Sequence, residues 1–249
     1  MKIFVINLEK DIDRKLSIQN QLEKVSLDAE FITGVYGRGL SDEQIKKICP
    51  DFNKIYLTLG EVGCSMSHLN VYKKIIDNNI PISLVLEDDV IFDNNLTAVL
   101  SSLEKDPQAL SSNPFVFLLN KTNEYFDSFK KPLTDEHTIV NVIDSAGAFG
   151  YILNLAAAKN LYQYLQPVRF VADEWKIFRE HNVIKLKGII PPPITHSSPH
   201  SLNSSIGERK YSLTKLDKKN RKCDIITKIK LTLWRVFIRA WLKKVKLSH

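Results

Sequence analysis

The sequence predicts an α/β fold, a sheet flanked by helices, with a basic amphipathic helix appended on its C-terminal side. Three observations predict it. Short aliphatic, β-branched runs at residues 2–8, 82–86, 114–119 and 183–190 read as buried strands. Segments with helical spacing lie between them, and such alternation implies crossover connections. Positive charge is gathered at one end. Residues 208–249 hold 14 Lys or Arg against 3 acids, a local +11, so the chain's net +7 leaves residues 1–207 at −4.

Taken in order, the strand over 2–8 is joined to a helix over 16–25 by a polar stretch, 9–14. Residues 30–32 form a second strand, and Gly34, Gly37 and Gly39 mark a loop. Ser41-Asp-Glu-Gln44 has the capping-box pattern of a short helix. A loop over 58–63 leads into a helix over 64–78, with Met66, Leu69, Tyr72, Ile75 and Ile76 at helical spacing. Pro81 ends that unit, and the strand over 82–86 runs directly into Glu87-Asp88-Asp89. A glycine-rich stretch, 145–151, precedes a helix over 154–165, and Pro191-Pro192-Pro193 closes the strand over 183–190. Residues 201–220 are polar. One separate helix is predicted over 224–247, with Ile226, Ile229, Leu233, Phe237 and Trp241 on one face and Lys228, Arg235, Arg239, Lys243 and Lys246 opposite.

A chain of 249 residues, 44% hydrophobic and 25% charged, suits one globular domain with an appendage. The expected division is a domain over 1–205 and, over 206–249, a polar linker and a membrane-associating helix. No uninterrupted apolar run reaches the roughly 18 residues of a spanning helix, and the first residues lack the pattern of a signal peptide. Cys49, Cys64 and Cys223 are sparse and unpatterned, as reduced thiols are. These features set the expectation of a cytoplasmic protein. The acidic core argues against a nucleic-acid partner, and the basic tail suits an anionic surface.

Acidic residues at the end of a buried strand have a use, because ligands of open α/β sheets bind outside the carboxyl ends of strands. Carboxylates there suit a hard divalent cation such as Mg²⁺ or Mn²⁺, which can neutralise a diphosphate. Alternation puts Glu87 and Asp89 on one side and Asp88 on the other. Solvated turn acids are the plainer alternative. Their position directly after Leu84-Val-Leu86 favours a site.

Three segments together resemble glycosyltransferase family 25, the lipooligosaccharide-type transferases. They are Val5-Ile-Asn-Leu8 with Asp13-Arg14, Leu59-Gly-Glu-Val-Gly-Cys-Ser-Met-Ser-His68, and Leu84-Val-Leu-Glu-Asp-Asp-Val90, in matching order and spacing. The resemblance covers about residues 1–205 and implies a GT-A-like fold with a Rossmann-like nucleotide-binding sheet. It also implies a UDP-sugar donor, a divalent metal and inversion at the anomeric carbon.

By the same resemblance, Asn7, Leu8 and Arg14 belong to the uridine- and phosphate-binding edge. Gly60, Glu61, Gly63, Ser67 and His68 form a donor-site segment. A buried helix histidine bonded to a backbone carbonyl is an equal alternative for His68. Asp89 is the best single metal ligand, with Glu87 on ribose or on a metal-bound water. The Ala146-Gly-Ala-Phe-Gly-Tyr151 stretch, with Gly147, resembles the segment beside the transferred sugar, and Asp144 before it is placed to meet a hydroxyl. An inverting transfer needs a carboxylate base. Asp173-Glu174-Trp175 resembles the family's acidic-Trp segment, with Asp173 first and Glu174 close behind as base. Trp175 would offer an apolar platform for a sugar ring, and a helix N-cap is the alternative for Asp173. His196 stands where a late histidine completes the metal shell of many GT-A enzymes, although family 25 often has glutamine there. Ser204-Ser205-Ile206 resembles the family's closing Ser-x-Ile pattern.

The implied reaction is hexose transfer, galactose from UDP-galactose in β linkage being the first choice, to a lipooligosaccharide or lipopolysaccharide acceptor. The tail, over 224–247, would hold the enzyme on the inner face of the cytoplasmic membrane. The rival is a non-catalytic, membrane-associated nucleotide- or glycan-binding protein. A metal-dependent phosphohydrolase is a second rival, for which no separate nucleophile is evident.

Overall fold

The computed structural model describes residues 1–196 and 213–247. The first half runs β1 (Lys2–Asn7), α1 (Ile12–Lys24), β2 (Glu30–Thr33), α2 (Asp42–Ile48), α3 (Leu59–Asp77), β3 (Ile82–Glu87), β4 (Val90–Phe92) and α4 (Leu96–Leu103). Then follow β5 (Phe115–Leu118), β6 (Glu124–Pro132), β7 (Thr138–Asp144), β8 (Gly150–Asn154), α5 (Leu155–Tyr164), α6 (Trp175–Glu180), β9 (Lys185–Ile190) and β10 (Ile194–His196). The tail carries α7 (Lys215–Asn220), α8 (Ile225–Phe237) and β11 (Lys244–Lys246).

Nine strands form one sheet in the order β11-β6-β7-β9-β5-β8-β3-β1-β2, and β10 and β4 form a separate ribbon. Strands buried on both faces read as continuous apolar runs. Accordingly Phe4, Ile6 and Val85 enter one core with α3, α5 and α6, while Ile3, Val5, Leu84 and Leu86 enter a second core with α1 and α4. The result is a three-layer α/β/α arrangement, as expected.

The sheet is mixed. β1 pairs parallel with β2 and β3, and β5 with β9, but β8 is antiparallel to both β3 and β5. Crossover connections are therefore confined to part of the sheet. The hairpin β6–β7 was not legible, because β6 changes from buried at Tyr125 and Phe126 to exposed over residues 129–132 and breaks register in between.

Helix α3 starts at Leu59, five residues before the predicted position. Thr58 and Glu61 form a capping box that overrides the helix-weakening glycines, Thr58 Oγ1 accepting from the Glu61 N–H at 3.2 Å and Glu61 from the Thr58 N–H at 2.8 Å. Gly63 is needed for packing. A Cβ there would lie 2.4 Å from Val35 O and 2.6 Å from Gly37 N, both backbone atoms. Gly63→Ala is expected to cost about 3 kcal/mol or more through overpacking, read as a lower midpoint in chemical denaturation. An unshifted midpoint would show that the 35–37 loop moves freely.

The tail differs most from expectation. The helix ends at Phe237, a 3-10 turn covers Arg239–Trp241, and β11 then pairs antiparallel with β6, Lys244 opposite Phe126. The pattern changes at Lys244-Val245-Lys246 to a period of two, with Val245 inward, and the β6 edge offers backbone partners. Residues 215–220, read as polar linker, form α7, and Leu216, Val245 and Leu247 pack against the first core. The boundary expected at 205/206 and the Ser204-Ser205-Ile206 motif lie outside the described residues. Among the described residues no helix is long and apolar enough to cross a membrane.

Candidate functional site

β1 lies between β2 and β3, so the chain leaves it on one side and returns on the other. The crevice at the carboxyl ends of β1 and β3 is the position where open α/β sheets bind ligands. Register sets Ile6 opposite Glu87, so the residues after each strand meet there. A cavity at this place is lined by Leu8, Asp11 and Arg14 on one side, by Glu87, Asp88 and Asp89 on another, and by residues 34–37 with Gly60, Cys64, Ser67 and His68.

The acids are held by a defined set of contacts. Asn7 is buried and donates from Nδ2 to Asp88 Oδ2 at 2.7 Å, so it positions Asp88 and does not line the cavity. Arg14 Nη1 stands 3.1 Å from both Asp88 Oδ1 and Asp89 Oδ2. Burial pushes the Asp88 carboxyl up to about 6, against the opposing pull of Asn7 and Arg14. Burial raises Asp89 too, but His196 and Arg14 outweigh it and hold Asp89 below the ordinary carboxylate range. The β10–β4 ribbon sets His196 opposite Val90, and His196 Nε2 lies 3.1 Å from Asp89 Oδ2. Among the described residues, Asp89 Oδ1 is buried without a hydrogen-bond partner. That carboxylate oxygen suits a hard divalent cation, and His196 stands beside the same carboxylate. Glu87 is not gathered with them into one group: among the described residues the trio with ligating atoms within 4.8 Å of one another is Cys64, His68 and Glu87.

His68 is buried, but its partners are side chains. Nδ1 is 2.8 Å from the Tyr151 hydroxyl and Nε2 is 3.3 Å from Glu87 Oε1, while Tyr72 and Tyr151 hydroxyls are 2.8 Å apart. One direction of donation satisfies the row: Tyr72 to Tyr151, Tyr151 to Nδ1, and Nε2–H to Glu87. Burial raises both tyrosines well above their ordinary range and keeps them as neutral donors. Cys64, part of the 59–68 motif but given no role there, completes a Cys64–His68–Glu87 group with ligating atoms within 4.8 Å of one another. A thiol suits a softer cation than Mg²⁺.

A second cavity adjoins the first through Cys64 and Glu87, which line both. Glu61, Gly147, Phe149, Asp173 and His196 also line it. Gly147 adopts φ +83°, a glycine conformation, and is strapped to the Asp173 segment. Its N–H donates to Asp173 Oδ2 at 2.8 Å, and its carbonyl accepts from Trp175 Nε1 at 2.9 Å.

Several expected residues have other tasks. Gly63 packs α3 on the 35–37 loop. Ser67 accepts from the Val35 N–H and donates to Gly63 O, both at 2.8 Å, while also lining the first cavity. Asp144 lines neither cavity and pairs with Lys176 at 3.6 Å. Trp175 is fully buried against Tyr151 and Phe178, so it is core and not a sugar platform.

Glu174 parts from Asp173. Its carboxylate is clasped by Arg221, with Nη1 to Oε2 at 3.0 Å, and by the Tyr56 hydroxyl at 2.7 Å. Both of its oxygens are engaged, and it lines neither cavity, so it is not placed to meet an acceptor hydroxyl. Glu174→Gln removes one charge of this largely buried pair and is expected to cost about 1–3 kcal/mol while sparing turnover. Denaturant midpoint and kcat, measured together, check this. A collapse of kcat at unchanged stability would return Glu174 to the reaction.

Residues 1–175 match the family described as "Glycosyltransferase family 25 (LPS biosynthesis protein)". The chain is 29% identical to procollagen galactosyltransferase 1-A of Xenopus laevis over 168 residues, 64% of this chain and 28% of that protein. It is 28% identical to a glycosyltransferase 25 family member of Aedes aegypti, over 65% of this chain and 28% of that one. For procollagen galactosyltransferase 2 of Homo sapiens the identity is 27%, over 64% and 27%. The matched stretch thus spans little more than a quarter of these relatives.

Proposed function

Since this chain belongs to glycosyltransferase family 25, we propose that it transfers a hexose from a UDP-sugar, with inversion, to a lipooligosaccharide or lipopolysaccharide acceptor. The observation that carries the reading is the pair of joined cavities, one lined by Arg14 and four acids, the other by Asp173. Galactose, from UDP-galactose in β linkage, is the preferred hexose because relatives carry the name procollagen galactosyltransferase. The acceptor follows the family's association with LPS biosynthesis and not those relatives' names.

In this reading the first cavity takes the nucleotide diphosphate and the second takes the sugar and the acceptor hydroxyl. Asp89 and His196, with Glu87 through a metal-bound water, would hold Mn²⁺ or Mg²⁺, which supplies positive charge for the departing diphosphate. Arg14, fixed between Asp88 and Asp89, adds its own charge at the same place. Asp88, held by Asn7, keeps Arg14 in position. Asp173 is the base. Gly147 N–H occupies Oδ2, which leaves Oδ1 to take the proton of the attacking hydroxyl. Asp173 is thereby aimed by the turn it also fixes.

The enzyme works in the cytoplasm, peripheral on the inner face of the cytoplasmic membrane, where a lipid-linked acceptor is found. The test is UDP release from a panel of UDP-sugars, with Mn²⁺ or with chelator, and with or without a terminal-hexose acceptor. Metal-dependent release from UDP-galactose, raised by acceptor, is expected. UDP binding without release from any sugar would overturn the reading.

A further inference from the structure

The tail presents an apolar face that nothing among the described residues covers. Ile225, Ile226, Ile229, Leu233, Val236 and Phe237 of α8 are each more than half exposed, and Trp241 in the following turn is 86% exposed. At 100° per residue the six α8 side chains fall within an arc of about 120°. The opposite stripe, Thr227, Leu231 and Trp234, is only partly exposed, and Trp234 meets the Phe126 ring edge-on at 5.6 Å. Arg235 is anchored on Glu180 at 2.9 Å. The helix therefore packs on the domain by its narrow side and turns its broad apolar side outward, the reverse of a helix that folds to complete a core.

Cations flank this face. Lys228 and Arg235 follow one edge, Lys230 the other, and Lys243, Lys244 and Lys246 stand exposed just beyond Trp241. Residues 213–247 hold 12 Lys or Arg against 2 acids. An apolar stripe with an exposed Trp and basic flanks matches the boundary between acyl chains and anionic headgroups. A protein partner of the usual kind would leave so dense a set of lysines unpaired.

We propose that this face of α8, together with Trp241, seats in the interface of an anionic phospholipid bilayer, with the flanking cations against the headgroups. The proposal deepens the transferase reading by giving it a membrane contact, and it rests on that reading only for the acceptor's location. The contact is coupled to the site. Arg221, just before α8, clasps Glu174 beside Asp173, and β11 extends the central sheet, so a seated tail holds the second cavity at fixed height above the membrane.

The test is co-sedimentation of the full chain with phosphatidylglycerol-containing vesicles and with pure phosphatidylcholine vesicles, at low and high salt. The wild type is expected to bind the anionic vesicles, more weakly at high salt. The double variant Phe237→Ser/Trp241→Ser alters only exposed side chains and is expected to lose about tenfold or more in partition constant. Its UDP release with a soluble acceptor should be unchanged, so a failure here is separable from a failure of the transferase reading. No binding to either vesicle, or a double variant that binds like the wild type, overturns the proposal. A chain that self-associates without lipid and shields Trp241 from iodide would assign the face to a second copy instead, which also overturns it.

Discussion

Asp89→Asn is expected to lower metal-dependent turnover by roughly 10²–10³-fold with the fold intact and a loss of stability of about 1–3 kcal/mol. Its Oδ1 is buried and has no hydrogen-bond partner among the described residues, while Oδ2 is shared by Arg14 and His196. Asparagine keeps one oxygen for that shared contact and removes the charge a divalent cation requires. Arg14 retains Asp88, so the turn keeps its anchor. Free Mn²⁺ in a titration, followed by electron paramagnetic resonance, gives a readout independent of turnover. The variant should leave more Mn²⁺ free at every concentration. Wild-type affinity and near-normal turnover would move the cation elsewhere, with Cys64, His68 and Glu87 as the next place to test.

Asp173→Asn should lower kcat by about 10²–10⁴-fold, the range for loss of a general base, with donor KM little altered. The amide oxygen can still accept from Gly147 N–H, so the turn at φ +83° survives. That makes the substitution a test of the proton and not of the scaffold. Retention of more than about a tenth of kcat would exclude Asp173 as base. Paired with Glu174→Gln, it separates two neighbours that the sequence presents as near equals.

That pair shows where sequence reading stops. Two adjacent carboxylates look alike in a string, and their roles diverge because Arg221, far along the chain, claims one of them. The acidic turn was legible because a continuous apolar strand delivers it to the sheet's carboxyl edge, and that edge is where β1 and Arg14 meet it. The start of α3 was also legible in principle, since Thr58 and Glu61 stand at capping-box spacing. The glycines of the same segment concealed it. Cys64 stands inside the 59–68 motif, but nothing in the string assigns its thiol a role. It enters the site because α3 begins early enough to turn it toward Glu87. The tail helix was legible in type and in its apolar face. Its end was not, because Val245 needs an open strand edge that only tertiary structure provides. His196 was placed beside Asp89 by the pairing of two three-residue strands, too short to leave a pattern.

The closing of the β6 edge bears on how the molecule is made. β11 belongs to the last described stretch of the chain, yet it pairs with Tyr125 and Phe126 near the middle. A growing polypeptide therefore carries an unfinished sheet until synthesis has passed residue 246. In that interval the Tyr125–Phe126 stretch is an open backbone ladder, able to recruit a strand from another nascent chain. The far end of β6 is better guarded, because Lys130, Lys131 and Pro132 resist such pairing. The tail is thus a chain terminator for the sheet as well as a surface, and shortening it for expression would trade a basic appendage for an aggregation-prone seam.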